Sequence, residues 1–238
     1  CHLDRSDTWA AKAVKQWGIN VQRAEPTVGE LFFDAQRGAP DALVGLEDLA
    51  LNPNANGIWR GTAVEELGRH EVLGLESVIS RLLQSSDPII RASAVRSSEA
   101  LPLVRRYQVL RPILGDRNRS VVTELATALA AVPLDQIGSG DASVLKKVFR
   151  VYLEIQSDDL DLPSVQARLG NFYARRGEIK LAEASFRAAL EIDAQTVGAH
   201  VNLADLKRTQ GDDQGARKVL LDALDLIPNE ASLLYALG

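Results

Sequence analysis

Methionine is absent from the 238-residue chain, position 1 included, and cysteine occurs once, at Cys1. A single cysteine excludes an internal disulfide and leaves the redox compartment open. The missing Met leads us to expect a fragment of a longer chain, so the lack of a visible signal peptide carries little weight. No run approaches the ~18 apolar residues of a bilayer-spanning helix. A basic excess is also lacking. The net charge is −5, which argues against a general nucleic-acid binder. Catalytic signatures are missing too: there is no H-E-x-x-H, no G-x-S-x-G, no P-loop and no G-x-G-x-x-G. No two histidines stand at ligand spacing on a helix, so no metal site is expected. His70 reads as a loop residue and His200 as a packing residue. "GSGD" at 138–141 reads as a turn with Asp141 as helix N-cap rather than as a phosphate cradle. A non-catalytic protein is the expectation.

What is present is a helical composition. Hydrophobic residues make up 46% and charged residues 25%, enough for a real core. Leu and Ala dominate, aromatics are only 5%, and no segment alternates as a strand would. Eight of the nine prolines sit at expected helix boundaries, where the lost N–H has no helical partner. Pro112, inside "LVRRYQVLRPILGD", is expected to kink or end its helix.

Self-comparison organises the chain. "LPSVQARLGNFYARRGEIKLAEASFRAALEID" aligns with "VGAHVNLADLKRTQGDDQGARKVLLDALDLIP" at an offset of 34. Leu169 pairs with Leu203, Gly170 with Ala204, Gly177 with Gly211, Ala182 with Ala216, Phe186 with Leu220 and Ala189 with Ala223. A third unit starts at "ASLLYALG" and ends with the chain. The small residues Gly170 and Ala204 fit a close helix–helix contact. Phe186 and Leu220 fit the space between units, and Gly177 and Gly211 fit tight turns. The pattern Leu169-Gly170-x-x-Tyr173, then Gly177, Ala182, Phe186 and Ala189, resembles the tetratricopeptide repeat (TPR) family.

A second period of 31 runs through "NGIWRGTAVEEL", "DPIIRASAVRSS" and "NRSVVTELATAL". It aligns Trp59, Ile90 and Val121, then Ala63, Ala94 and Leu125. Arg60 and Arg91 also align, but Val122 breaks their series. With an apolar helix before each unit, this stretch resembles HEAT repeats. Both repeat types are helix pairs that bury their faces by stacking. The expected fold class is therefore all-α: a right-handed α-solenoid (α-α superhelix) of HEAT-like helix pairs followed by TPR repeats. The expected boundaries are 1–24 for the tail of an upstream domain plus a capped helix and 25–135 for HEAT-like repeats. A connecting helix region follows at 136–160, its helix at roughly 142–156, and TPR repeats occupy 161–238. Near the front, Asp4 and Asp7 form a weak capping box for a helix whose Trp9 and Trp17 can pack on the solenoid. A second helix is expected from Thr27 to Gly38.

Two features bear on function. Cys1-His2 alone is barely a motif, and coincidence is one reading. The other is that it ends a C-x-x-C-H haem-attachment motif, in which thiols add to haem vinyl groups and the imidazole binds iron. The order "CHLDRSDTWAAKAVKQWG", then "LALNPNANGIWRGTAVEELG", then TPRs resembles the C-terminal part of repeat-bearing multihaem c-type cytochromes. That resemblance implies a thioether at Cys1, an axial ligand at His2 and a parent protein that carries haem c in electron transfer. It also implies a periplasmic or extracytoplasmic location. The upstream cysteine is missing, so this stretch is expected to hold no cofactor itself. The other feature is the TPR groove. The resemblance implies that the first helix of each pair lines it, which selects Asn171, Arg175, Asn202, Asp205 and Arg208 for binding a protein or peptide partner. The positions that clamp a carboxylate in chaperone-binding relatives are Ala167, Ser232 and Ala236, so that clamp is absent. The expected function is a protein–protein interaction scaffold of a cytochrome. The alternative is a cytoplasmic TPR adaptor.

Overall fold

The computed structural model describes residues 5–17 and 27–238. Among them the regular structure is entirely helical. The front helix α1 (Asp7–Gln16) is capped by Ser6, whose Oγ accepts from the Trp9 N–H at 3.2 Å. The expected cap, Asp4, lies outside the described residues. Trp17 is 72% exposed and Trp9 40%, and the Arg5 guanidinium lies 5.6 Å from the Trp9 ring. Helix α2 (Val28–Gln36) meets its expectation. Thr27 and Glu30 form a reciprocal capping box at its start, and Gly38 follows its end with φ +74°.

Three helix pairs follow: α3 (Pro40–Leu51) with α4 (Gly57–Leu67), α5 (Leu75–Leu82) with α6 (Pro88–Ser97), and α7 (Leu103–Leu110) with α8 (Arg119–Ala128). The second helices stack α4 on α6 on α8, and the first helices stack α3 on α5 on α7. Pro112 sits in a 3-10 turn, Arg111–Ile113, that ends α7. The repeat also shows at the helix starts. Asn56, Asp87 and Asn118 cap α4, α6 and α8, each accepting from the N–H two residues on at 2.8–3.0 Å. These caps recur at the same 31-residue spacing. Ala63, Ala94 and Leu125 are all fully buried, as are Ile90 and Val121, whereas Trp59 at the equivalent step stays 46% exposed.

Helix α9 (Ser139–Gln156) joins this block to the rest. It begins earlier than expected, and Asp141 is not its cap. The Asp141 carboxylate instead accepts from the Tyr107 hydroxyl at 2.7 Å and the Arg111 Nε at 2.6 Å, tying α9 to α7 and the turn after it. Those two bonds, Tyr107 first, hold the Asp141 carboxyl below its usual range. Four helices then form two further pairs, α10 (Pro163–Arg175) with α11 (Ile179–Ile192) and α12 (Val197–Thr209) with α13 (Asp213–Leu226). The last helix is α14 (Ala231–Leu237). Each packs on its sequence neighbour, and α10, α12 and α14 form a row of first helices. The architecture is a helical-repeat solenoid.

The core is continuous across the two repeat types. One cluster of buried side chains runs from Ala35 in α2 to Phe172 in α10. Phe172 lies against Tyr152 at 4.7 Å and Phe149 at 5.5 Å between ring centroids. Arg176 covers Phe149 at 4.5 Å. Burial pushes the Tyr152 phenol up to about 12. Two smaller clusters continue the core, with Tyr173 and Val219 bridging successive clusters.

Candidate functional site

The inner face of the second block is built on small residues and turns. Gly177 and Gly211 adopt φ of +74° and +78°, which lets α10 and α12 each reverse into the next helix at little steric cost. Gly170 lets α11 approach α10: a Cβ there would lie 2.4 Å from the Phe186 ring. Phe186 clusters with Ala182, Leu203 and Leu206, and so fills the gap to the next unit. Leu220 repeats this role against Ala204 and Leu233. These contacts set α10, α12 and α14 side by side.

The five groove residues do not act as one set. Asn171 and Asp205 are exposed and Asn202 is half-buried, all on the first helices of their pairs. At an offset of 34, Asn171 aligns with Asp205 and Asn202 with Arg168, so the two asparagines occupy different steps of the repeat. Arg175 is already engaged. Its Nη1 donates to Glu99 Oε1 at 2.7 Å and to the Thr127 carbonyl at 3.1 Å. Both partners lie in the first block, so Arg175 fastens α10 to it. Arg106 grips the same carboxylate, Nη1 to Glu99 Oε2, at 3.4 Å. Arg208 is engaged as well, donating to Asp205 at 2.8 Å and to the Ala236 carbonyl of α14. Sequence spacing could show which helix carries these arginines, not which acceptors lie within reach.

What remains open is a groove of about 630 Å³ between α12 and α14. Val201, Asp205, Arg208, Ser232, Tyr235 and Ala236 line it. Tyr235 is 91% exposed and went unnoticed in the sequence reading. The 34-residue register aligns it with Val201, a signal that would have found it. Ser232 and Ala236, two of the positions that the resemblance marked for a carboxylate clamp, lie on this wall.

The face of the first block carried by α4, α6 and α8 is charge-paired. Arg96 of α6 bridges Glu65 of α4, at 2.7 Å, and Glu124 of α8. Burial pushes the Glu124 carboxyl up against the opposing pull of Arg96, with Glu65 and Glu99 adding like charge.

The two described histidines make contacts within the fold. His200 is buried with its Nε2 2.9 Å from the Ala194 carbonyl, and His70 lies 3.4 Å from Glu66. Among the described residues no group of three or more His, Cys, Asp or Glu side chains could hold a metal ion. Likewise none of their helices is long and apolar enough to cross a membrane. Cys1 and His2 lie outside the described residues.

The tetratricopeptide repeat family model matches residues 163–196, which are α10, α11 and the turn into α12. No curated protein matches the chain. The α10–α11 pair is therefore a tetratricopeptide repeat, of a family that works in protein–protein interaction.

Proposed function

We propose that the chain is a non-catalytic scaffold that binds a protein or peptide partner along the inner face of α10, α12 and α14. The observation that carries this reading is the open α12–α14 groove beside the tetratricopeptide repeat at 163–196. Tyr235 is a large aromatic side chain left almost fully exposed on its wall, the residue type that anchors partners in interfaces. Asn171 and Asn202 present amides that can pair with a peptide backbone through both donor and acceptor. Selecting a displayed peptide library on the whole chain supplies a ligand for the test. Tyr235→Ala, and Asn171→Ala with Asn202→Ala, are each expected to weaken it roughly tenfold. Unchanged binding in both variants places the interface elsewhere.

The wider setting we propose is an extracytoplasmic, periplasmic or cell-surface, c-type cytochrome, on the strength of Cys1-His2 and the order of the segments behind it. The chain has one cysteine, so it cannot complete C-x-x-C-H, and its own residues do not fit a haem. Reading the parent gene upstream of Cys1 tests the setting. A residue other than Cys three positions before Cys1 leaves the cytoplasmic adaptor as the standing alternative.

A further inference from the structure

The 31-residue repeat is broken at one chemically pointed place. In the first two units an arginine at the same step reaches back to carbonyls near the end of the preceding helix. Arg60 donates to the Ala50 carbonyl at 3.0 Å, and Arg91 to the Ser85 and Ser86 carbonyls at 2.8 and 3.1 Å. Val122 takes that step in the third unit. It has no polar reach, and the space beside it is a cleft of about 420 Å³. Leu114, Gly115 and Val122 form one side, and Val144, Val148 and Val151 of α9 form the other. The volume lies in the range of ligand sites, about 300–1,000 Å³.

The mouth of the cleft is positive. Arg117 and Lys147 line it, both are exposed, and neither makes an ion pair among the described residues. Asp116, the acidic group at the mouth, is already held by Arg91 at 2.7 Å. Two unanswered cations over an aliphatic floor, on a chain of net charge −5, are complementary to a segment that carries apolar and acidic side chains together. The floor lies between α8 and α9, a place where an amphipathic helix can lay its apolar face.

We infer that the α8–α9 cleft is a second docking site, distinct from the inner-face groove, for an acidic amphipathic helix of a partner protein. Leucine-type side chains enter the valine-lined floor and carboxylates meet Arg117 and Lys147. The cleft lies where Val122 stands at the step that carries an arginine in the two preceding units.

The test uses the whole chain and a fluorescein-labelled peptide of leucine and glutamate, with leucines at helical spacing, read by anisotropy. Its leucine–lysine counterpart is the control. The acidic peptide is expected to bind saturably and the basic one not to bind. Arg117→Glu with Lys147→Glu, both on the surface, should weaken the acidic peptide at least roughly tenfold and admit the basic one. Val122→Arg, which restores the repeat, should abolish binding by filling the cleft. Tyr235→Ala should leave this binding unchanged, which separates it from the inner-face groove. The proposal is overturned if the acidic peptide fails to saturate by about 1 mM, or if the charge reversal leaves its affinity unaltered. Binding of decanoate that the peptide cannot displace would overturn it as well, by assigning the cleft to a free amphiphile.

Discussion

Gly170 and Phe186 are two halves of one contact. A Cβ at 170 would meet the Phe186 ring at 2.4–2.8 Å, and Phe186 is 1% exposed with little room to move. Gly170→Ala is therefore expected to destabilise the protein by about 1–3 kcal/mol in urea denaturation, as overpacking does. The second unit carries Ala204 opposite Leu220 at the same steps, so adding Phe186→Leu should recover most of the loss. A double variant no more stable than Gly170→Ala alone would refute the pairing. This contact was legible in the sequence because both partners recur at the 34-residue offset. Arg175 was legible only as a surface cation. Its acceptor Glu99 lies 76 positions away, in the other type of repeat, and no periodicity connects the two.

Helices in the first block are spaced by what happens between them. The loop before α8 is fixed by Asp116, which accepts from Arg91 of α6 at 2.7 Å and from the Asn118 N–H at 2.8 Å. Burial raises the Asp116 carboxyl, but these bonds and the Arg91 charge outweigh it and hold it below the usual carboxylate range. A carboxyl lowered on folding contributes stability above its unfolded value and loses it as the pH falls through the folded one. Asp116→Asn is thus expected to cost roughly 2 kcal/mol near neutrality, between an exposed and a buried pair. The gap to the wild type should close as the pH falls through and below the ordinary carboxylate range. A gap that stays constant down to acid pH would assign the loss to packing alone. Element order was legible from apolar spacing and proline, and the start of α2 from Thr27. The start of α9 was not, because Asp141 has the chemistry of a cap and is held instead by Tyr107 and Arg111 across the helix pair.

The molecule as a whole is a stack in which each layer packs mainly on its neighbours, so the joint between the two blocks bears directly on whether they unfold together. That joint is the Phe149–Tyr152–Phe172 cluster between α9 and α10, with Arg175 fastened to Glu99 and Thr127 beside it. Phe172→Ala should cost about 3–5 kcal/mol. It should also split a single melting transition into two, as nearest-neighbour coupling fails. A single transition in the variant would mean that coupling runs through other contacts. The solenoid class and the TPR packing were legible in the sequence because they repeat. The joint is used once, so periodicity could not announce it. The three Asx caps carry a different implication. Because Asn56, Asp87 and Asn118 serve the same capping role and are evenly spaced, removing residues 57–87 would place Asn56 directly before Pro88, where its carboxamide oxygen could accept from the N–H of Ile89. The first block is in that sense modular: a deletion of one whole period starting at 57 is expected to keep the cap and phase of the next helix, while one that takes Asp87 without bringing Asn56 into its place would leave that helix start without its acceptor.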